Sequence, residues 1–129
     1  QRTMRPIDSQ YLKSHEWCQI EGDIATLGLT DHAIGQLSDL IHLELPEVGS
    51  QVTAGETYAE IESVKSVSDI YSPVSGEVIE THDDLVEDLE ALNKDAYNDG
   101  WMVKIRFTAQ SEDLIDAAAY EAQLADEEH

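Results

Sequence analysis

Positive charge is what this chain has least of. Across 129 residues, 7 Lys and Arg stand against 28 Asp and Glu, a net charge of −21. Such a surface repels phosphates, which argues against nucleic acid or an anionic membrane as partner and for proteins with basic docking faces. The same self-repulsion favours a monomer. Cysteine is nearly absent. Cys18 stands alone, so no internal disulfide can form and the fold suits a reducing compartment. Between Trp17 and Gln19 in an apparent strand, it reads as a small buried apolar residue rather than a nucleophile. Long apolar runs are missing too: nothing approaches a membrane span, and Gln1 to Pro6 lack the core of a secretory signal. The expectation is a soluble, intracellular protein with one modest core.

Catalytic signatures are equally scarce. No serine elbow, phosphate-cradling glycine loop or Cys-rich metal motif occurs. His15, His32, His42 and His82 are scattered without ligand spacing, so no metal site is expected. Carboxylates are so numerous that nominating an acid–base pair among them carries no information, and no catalytic residue is assigned.

What is present reads as many short strands. After a polar lead-in over residues 1–10, Trp17–Ile20 and Ile24–Leu29 flank a turn at Gly22. Thr30 or Asp31 is placed to cap a short helix through Leu37. Leu40 to Leu45 alternates, with Ile41, Leu43 and Leu45 on one face, and Pro46 ends it. Gly49 and Gly55 bracket expected turns. Strands rise from Thr57 and descend to Tyr71, Ser72–Gly76 turns, and Glu77–Glu80 resumes. A short helix is expected near Leu85–Leu92, and a strand over 101–107 with Trp101, Val103, Ile105 and Phe107 on one face. Ser111 then caps a C-terminal helical region, 111–126. The pattern predicts a mainly β sandwich or barrel with peripheral helices, one domain over 11–129.

Lys65 is the only Lys or Arg between Lys13 and Lys94. Residues pair by kind around it: Val64 with Val67, Ser63 with Ser68, Glu62 with Asp69, Ile61 with Ile70. This predicts a hairpin over 57–71 with Lys65–Ser66 as its turn. Lys-Ser is not the Asn-Gly or Asp-Gly pair of the primed turns, although a type I turn accommodates it. Glu62 facing Asp69 would set like charges across the strands, a hint of function at the tip. The alternative is a solvated surface lysine that relieves acidic repulsion.

Gly49 precedes Lys65 by 16 positions and Gly76 follows it by 11. With these glycines go Ser14-His15-Glu16-Trp17, Thr30-Asp31-His32-Ala33, Glu44-Leu45-Pro46-Glu47-Val48-Gly49, Glu62 to Asp69, Ser72 to Val78 and Gly100 to Ile105. In this order, from Tyr11 to Leu124, the chain resembles the H-protein family of the glycine cleavage system, relatives of lipoyl and biotinyl carrier domains. The resemblance implies a flattened β-barrel or sandwich of the lipoyl-domain type, a barrel-sandwich hybrid. It implies lipoic acid in amide linkage to Lys65, attached by a lipoate-attaching enzyme. It further implies a non-catalytic carrier that takes the aminomethyl group of glycine from a pyridoxal-phosphate-dependent glycine decarboxylase to a tetrahydrofolate-dependent aminomethyltransferase. A flavin-dependent dihydrolipoamide dehydrogenase then reoxidises the arm.

By the same resemblance, Glu16 and Asp69 match acidic positions of a cleft that receives the loaded arm, while Gln36 stands where plant-type members place a histidine. The location implied is the bacterial cytoplasm, or alternatively the mitochondrial matrix. Biotinyl domains frame their lysine with methionines, and Val64 and Ser66 stand here instead. Two other readings remain open: an H-protein-like lipoate donor to other complexes, and an acidic interaction module in which Lys65 is unmodified.

Overall fold

The computed structural model describes residues 9–37, 39–97 and 99–127. Most of the polar lead-in and Asn98 of the expected turn before Gly100 therefore lie outside the described residues. In chain order the elements are β1 (Gln10–Tyr11), β2 (Glu16–Glu21), β3 (Ile24–Leu29), α1 (Asp31–Gln36), β4 (Leu40–Glu44), β5 (Gln51–Val52), β6 (Thr57–Ser63) and β7 (Val67–Tyr71). They continue as β8 (Val74–Thr81), α2 (Asp83–Glu87), α3 (Glu90–Lys94), β9 (Val103–Gln110), β10 (Ile115–Asp116) and α4 (Ala117–Glu127). A seven-stranded sheet runs β10-β1-β2-β3-β9-β8-β5, and a three-stranded sheet runs β4-β6-β7. Every paired strand is antiparallel. The mainly β architecture expected from the pattern of short strands is the one found.

The first hairpin shows how the sequence sets local structure. Glu21 pairs with Ile24, leaving a two-residue loop whose first position, Gly22, has φ +62°. Glycine reaches that region without steric cost, and it matches the twist of the flanking strands. Further along, Trp17 lies opposite Gly28, and a Cβ at Gly28 would come within 2.7 Å of Trp17 Nε1. The missing side chain makes room for the indole, which is 2% exposed and donates to Leu29 O at 3.0 Å and Ala96 O at 3.2 Å. Gly49 (φ +96°) and Gly55 (φ +89°) occupy the turns that their spacing suggested. Around them Leu27, Leu43, Ile61, Ile70, Val78 and Ile105 fill the interior.

Cys18 belongs to this core. It is fully buried, and desolvation pushes its thiol up to about 12. The thiolate that reacts with disulfide reagents is thus suppressed both by access and by acidity. Native protein at pH 8 is expected to leave an aromatic disulfide reagent unconsumed, with one equivalent consumed only after addition of denaturant. Rapid reaction of the folded chain would contradict this placement.

Thr30 caps α1 as expected, its Oγ1 accepting from Ala33 N at 3.3 Å. Five other expectations need correction. The turn expected over Ser72–Gly76 stops at Pro73, and Val74 to Gly76 already pair within β8, where the bare Gly76 lets the strand lie close against β9. β4 carries a bulge between Leu40 and His42, which turns Ile41 outward to 53% exposure instead of joining Leu43 inside. The stretch near Leu85–Leu92 breaks into α2 and α3, each burying one leucine, Leu85 and Leu92. Trp101 lies before β9 rather than in it, stacked on His82 with 4.4 Å between ring centres. Ser111 caps no helix: its Oγ accepts from Asp113 N in a local turn. Asp116 accepts from Ala119 N at 2.9 Å instead, and α4 starts at Ala117 because β10 first pairs with β1.

Candidate functional site

Lys65 is exposed at the end of the β6–β7 hairpin, but the register there differs from the mirror-symmetric one. Glu62 pairs with Val67, Ile61 with Ser68 and Glu60 with Asp69. The turn therefore centres on Val64–Lys65, closed by Ser63 N donating to Ser66 O at 2.8 Å. Ser63 Oγ lies 3.3 Å from both Ser66 O and Ser66 Oγ, and Val64 N donates to Asp39 O at 3.0 Å. Neither central residue has a positive φ, since His15 is the only such non-glycine among the described residues. The turn is consequently not of the primed types, in line with a Val-Lys pair that lacks glycine. The tip is pinned from beneath by small hydroxyl side chains and from the side by the β4 approach. Val64 (58% exposed) and Lys65 project from it.

The like-charge pairing expected of Glu62 with Asp69 falls one pair further from the tip and runs one strand wider. Glu44, Glu60 and Asp69 lie side by side across β4, β6 and β7, all exposed. Such a row is destabilising in itself.

Glu16, Gln36 and Asp69 come together around one cleft of about 210 Å³ beside the hairpin, from β2, α1 and β7. Ser14, His15, Leu29, Ala33, Leu37, Ile61 and Ser68 complete its walls. Larger hollows, about 350 Å³ by His82 and Trp101 and about 270 Å³ by Pro46 and Tyr58, contain none of these three residues. Composition rather than size marks the smaller cleft.

Its members differ in character. Asp69 is exposed at the rim. Gln36 is also exposed, its Nε2 3.1 Å from His32 Nε2 one helical turn away. Glu16 is only 1% exposed and takes hydrogen bonds from Ser14 Oγ and, at 2.9 Å, from Tyr71 N. Desolvation raises its carboxyl above the usual carboxylate range, against those bonds, which lower it. The folded chain then holds this proton more tightly than the unfolded chain. The contribution of Glu16 to stability is full below the unfolded value and is lost as pH rises through the folded one. In urea unfolding from pH 4 to 7, the stability of the native sequence relative to Glu16→Gln is expected to fall as pH rises. A constant difference would count against a raised carboxyl.

Sequence reading missed His15 and its neighbours. His15 adopts φ +81°, held by its N–H to Leu12 O and by its carbonyl, which accepts from Thr30 N. Its Nδ1 lies 2.8 Å from Tyr120 Oη, which is 2.7 Å from Thr30 Oγ1, and its ring is 4.9 Å from that of His32. Histidines that looked scattered are thus adjacent. The only signal was the Ser-His-Glu-Trp run itself, since contacts across 105 residues leave no local pattern.

A single lysine on the turn of an exposed hairpin, carried by a two-sheet β domain, is the arrangement of lipoyl-type carrier domains. The family model for the glycine cleavage H-protein matches residues 9–127. A glycine cleavage system H protein from Rubrobacter xylanophilus is 50% identical over 95% of this chain and 97% of its own length. The H protein of Rippkaea orientalis is 47% identical over 92% of each. The crystal structure of a glycine cleavage system H protein from Mycobacterium marinum superposes with a TM-score of 0.88 at 38% identity, covering 94% of this chain and 99% of the other. The chain belongs to the glycine cleavage H-protein family, the lipoyl-carrying component of that system. No helix among the described residues is long and apolar enough to cross a membrane.

Proposed function

We propose that Lys65 carries lipoate in amide linkage through Nζ, attached by a lipoate-attaching enzyme. The chain catalyses no step itself. It presents the arm in turn to the pyridoxal-phosphate-dependent glycine decarboxylase, the tetrahydrofolate-dependent aminomethyltransferase and dihydrolipoamide dehydrogenase, as a monomer in the bacterial cytoplasm. The observation that carries this reading is the exposure of Lys65 at the second central position of a closed turn, in a chain that matches the family along its length.

The residues fit the group. An ammonium at a protruding turn is reachable by a modifying enzyme, and the small side chains of Ser63 and Ser66 leave the approach open. When bound, lipoate supplies a disulfide–dithiol couple and a sulfur able to hold a one-carbon amine. The protein supplies position and shelter. Asp69 offers a carboxylate to a cationic amine at the cleft rim, where partial exclusion of water strengthens the attraction. Ile61, Leu29, Ala33 and Leu37 line the same cleft with apolar surface that keeps water away, and Gln36 borders it with an amide.

Peptide mass spectrometry of the chain expressed in a lipoylating host tests the attachment. A lipoyl increment is expected on the peptide holding Lys65 and absent from a Lys65→Arg variant. An unmodified Lys65 in cells that lipoylate other proteins would overturn the carrier mechanism and leave surface recognition as the function. A modified Lys65 with no activity alongside the glycine cleavage enzymes would point to lipoate donation instead.

A further inference from the structure

Behind the cleft stands a buried tyrosine that belongs to neither of its walls. Tyr120 lies on α4, closed to solvent, and stacks on Tyr11 of β1 with 4.7 Å between ring centres. Its Oη is 2.8 Å from His15 Nδ1 and 2.7 Å from Thr30 Oγ1. His15 sits in the turn that also carries Ser14 and leads into Glu16, one wall of the cleft. Thr30 caps α1, whose Ala33 and Gln36 belong to the other. A single hydroxyl of the C-terminal helix therefore ties the two walls together from behind. The turn needs such a tie, because His15 holds φ +81°, a region costly for a residue with a Cβ.

Counting protons gives this chain of bonds a direction. Thr30 is fully buried and its Oγ1 already accepts from Ala33 N, so its own proton goes to Tyr120 Oη. Tyr120 takes that proton and gives its own to His15 Nδ1. A proton at Nδ1 breaks the order. Either Tyr120 turns its hydroxyl toward Thr30, leaving the Thr30 proton buried without an acceptor, or two donors converge on one oxygen. With Nδ1 as an acceptor, the single proton of His15 stands at Nε2 and the ring is neutral.

That neutrality matters where the ring lies. The titratable groups around it come from every side: Glu16 on β2, His32 on α1, Asp69 on β7, Tyr120 on α4 and, behind that, Tyr11 on β1. An imidazolium here would offset the Asp69 carboxylate and press against His32, whose ring centre is 4.9 Å away. We propose that Tyr120 is a positioning residue, through which the C-terminal helix closes the two walls of the cleft and keeps the proton of His15 at Nε2, so that this imidazole stays uncharged. The cleft then keeps its negative character over a wider span of pH than a histidine free to charge would allow. The purpose of this arrangement rests on the carrier reading, but the tautomer does not.

Long-range proton–nitrogen spectra of the histidine rings, recorded at pH 8 on the protein without lipoate, test the tautomer alone. His82 is an internal standard of the opposite kind, because its Nδ1 is 2.7 Å from Trp101 O, a carbonyl that can only accept. In the native chain His15 is expected to show a bare Nδ1 and a protonated Nε2. Tyr120→Phe keeps a ring on Tyr11 and removes only the hydroxyl. His15 is then expected to lose its fixed state, both nitrogens moving toward the averaged shifts of exchanging tautomers. Thr30→Ser, which keeps a hydroxyl, leaves the native pattern, and His82 is unmoved in every variant. A protonated Nδ1 in the native chain, or an unmoved His15 pattern in folded Tyr120→Phe, would overturn the proposal. Should Tyr120→Phe fail to fold, the native spectrum decides by itself.

On lipoylated, aminomethyl-loaded protein, the rate at which the carbon is lost to water is compared between Tyr120→Phe and the native chain. The ratio of the two rates is expected to grow as pH is lowered from 8 to 6, the range in which a released histidine charges. Parallel pH profiles would overturn the charge role. If Lys65 proved to bear no lipoate, the ring spectra would stand, so the two failures are distinguishable.

Discussion

Replacing Lys65 by Arg is expected to reduce glycine-dependent carbon dioxide release in the reconstituted glycine cleavage system to background. The substitution keeps a positive charge and a long side chain at an exposed turn, so neither folding nor the charge pattern of the tip changes much. What it removes is an amine able to deprotonate and be acylated, since guanidinium stays protonated at any usable pH. Because no other Lys or Arg lies between Lys13 and Lys94, no neighbouring group on the hairpin can substitute. The matching control is thermal unfolding, in which Lys65→Arg and the native chain should melt together. Activity retained by a folded Lys65→Arg chain would refute the assignment of the arm to this lysine.

The second large effect concerns Gly76. In β8 this residue lies against β9 so closely that a Cβ would sit 2.2 Å from Arg106 O and 2.7 Å from Phe107 Cα. Both obstacles are backbone, in a ladder whose register shifts between Ser75 and Gly76, so neither can swing aside. Gly76→Ala is expected to cost about 3 kcal/mol, the upper part of the range for overpacking. In a domain of this size that lowers Tm by roughly 10 °C. Gly35→Ala provides the contrast. A Cβ there meets nothing within 4 Å on α1, and the change should raise stability by about 0.5–1 kcal/mol. Equal effects at the two glycines would show that strand approach at Gly76 is not the constraint.

Both predictions start from positions that the sequence itself marked, Lys65 by its isolation and Gly76 by its distance from it. The turn glycines Gly22, Gly49 and Gly55, the Thr30 cap and the mainly β character were legible because each has a local cause. The hairpin register was not. The mirror-symmetric pairing and the real one differ by a slip of two residues, and an even slip leaves every side chain on its own face. Ile61 and Ile70 are buried either way, so the hydrophobic pattern is blind to the choice. It is decided by the Ser63–Ser66 closure and by the bond from Val64 N to Asp39 O, the latter a contact with another strand's approach. Ile41 was misplaced for a related reason, since a bulge adds a residue without altering composition. The cleft was legible only through resemblance. Glu16, Gln36 and Asp69 are ordinary polar residues in the chain, and the fold alone makes neighbours of them.

On the proposed attachment of lipoate to Lys65, the row Glu44, Glu60, Asp69 would acquire a different meaning. Before modification the hairpin presents a cation at its tip above a band of carboxylates, a dipolar surface that a modifying enzyme can orient by field as well as by shape. With an amide at Nζ the cation would be gone, and the row of carboxylates would stand without it. Enzymes acting on such an arm would therefore meet a different electrostatic object from the one its maker met. A maker suited to the unmodified tip has reason to let go of its product, and users with basic entrances have reason to ignore the unloaded precursor. A single acyl bond would thus sort the chain between successive hosts by long-range charge, before any side chain touches.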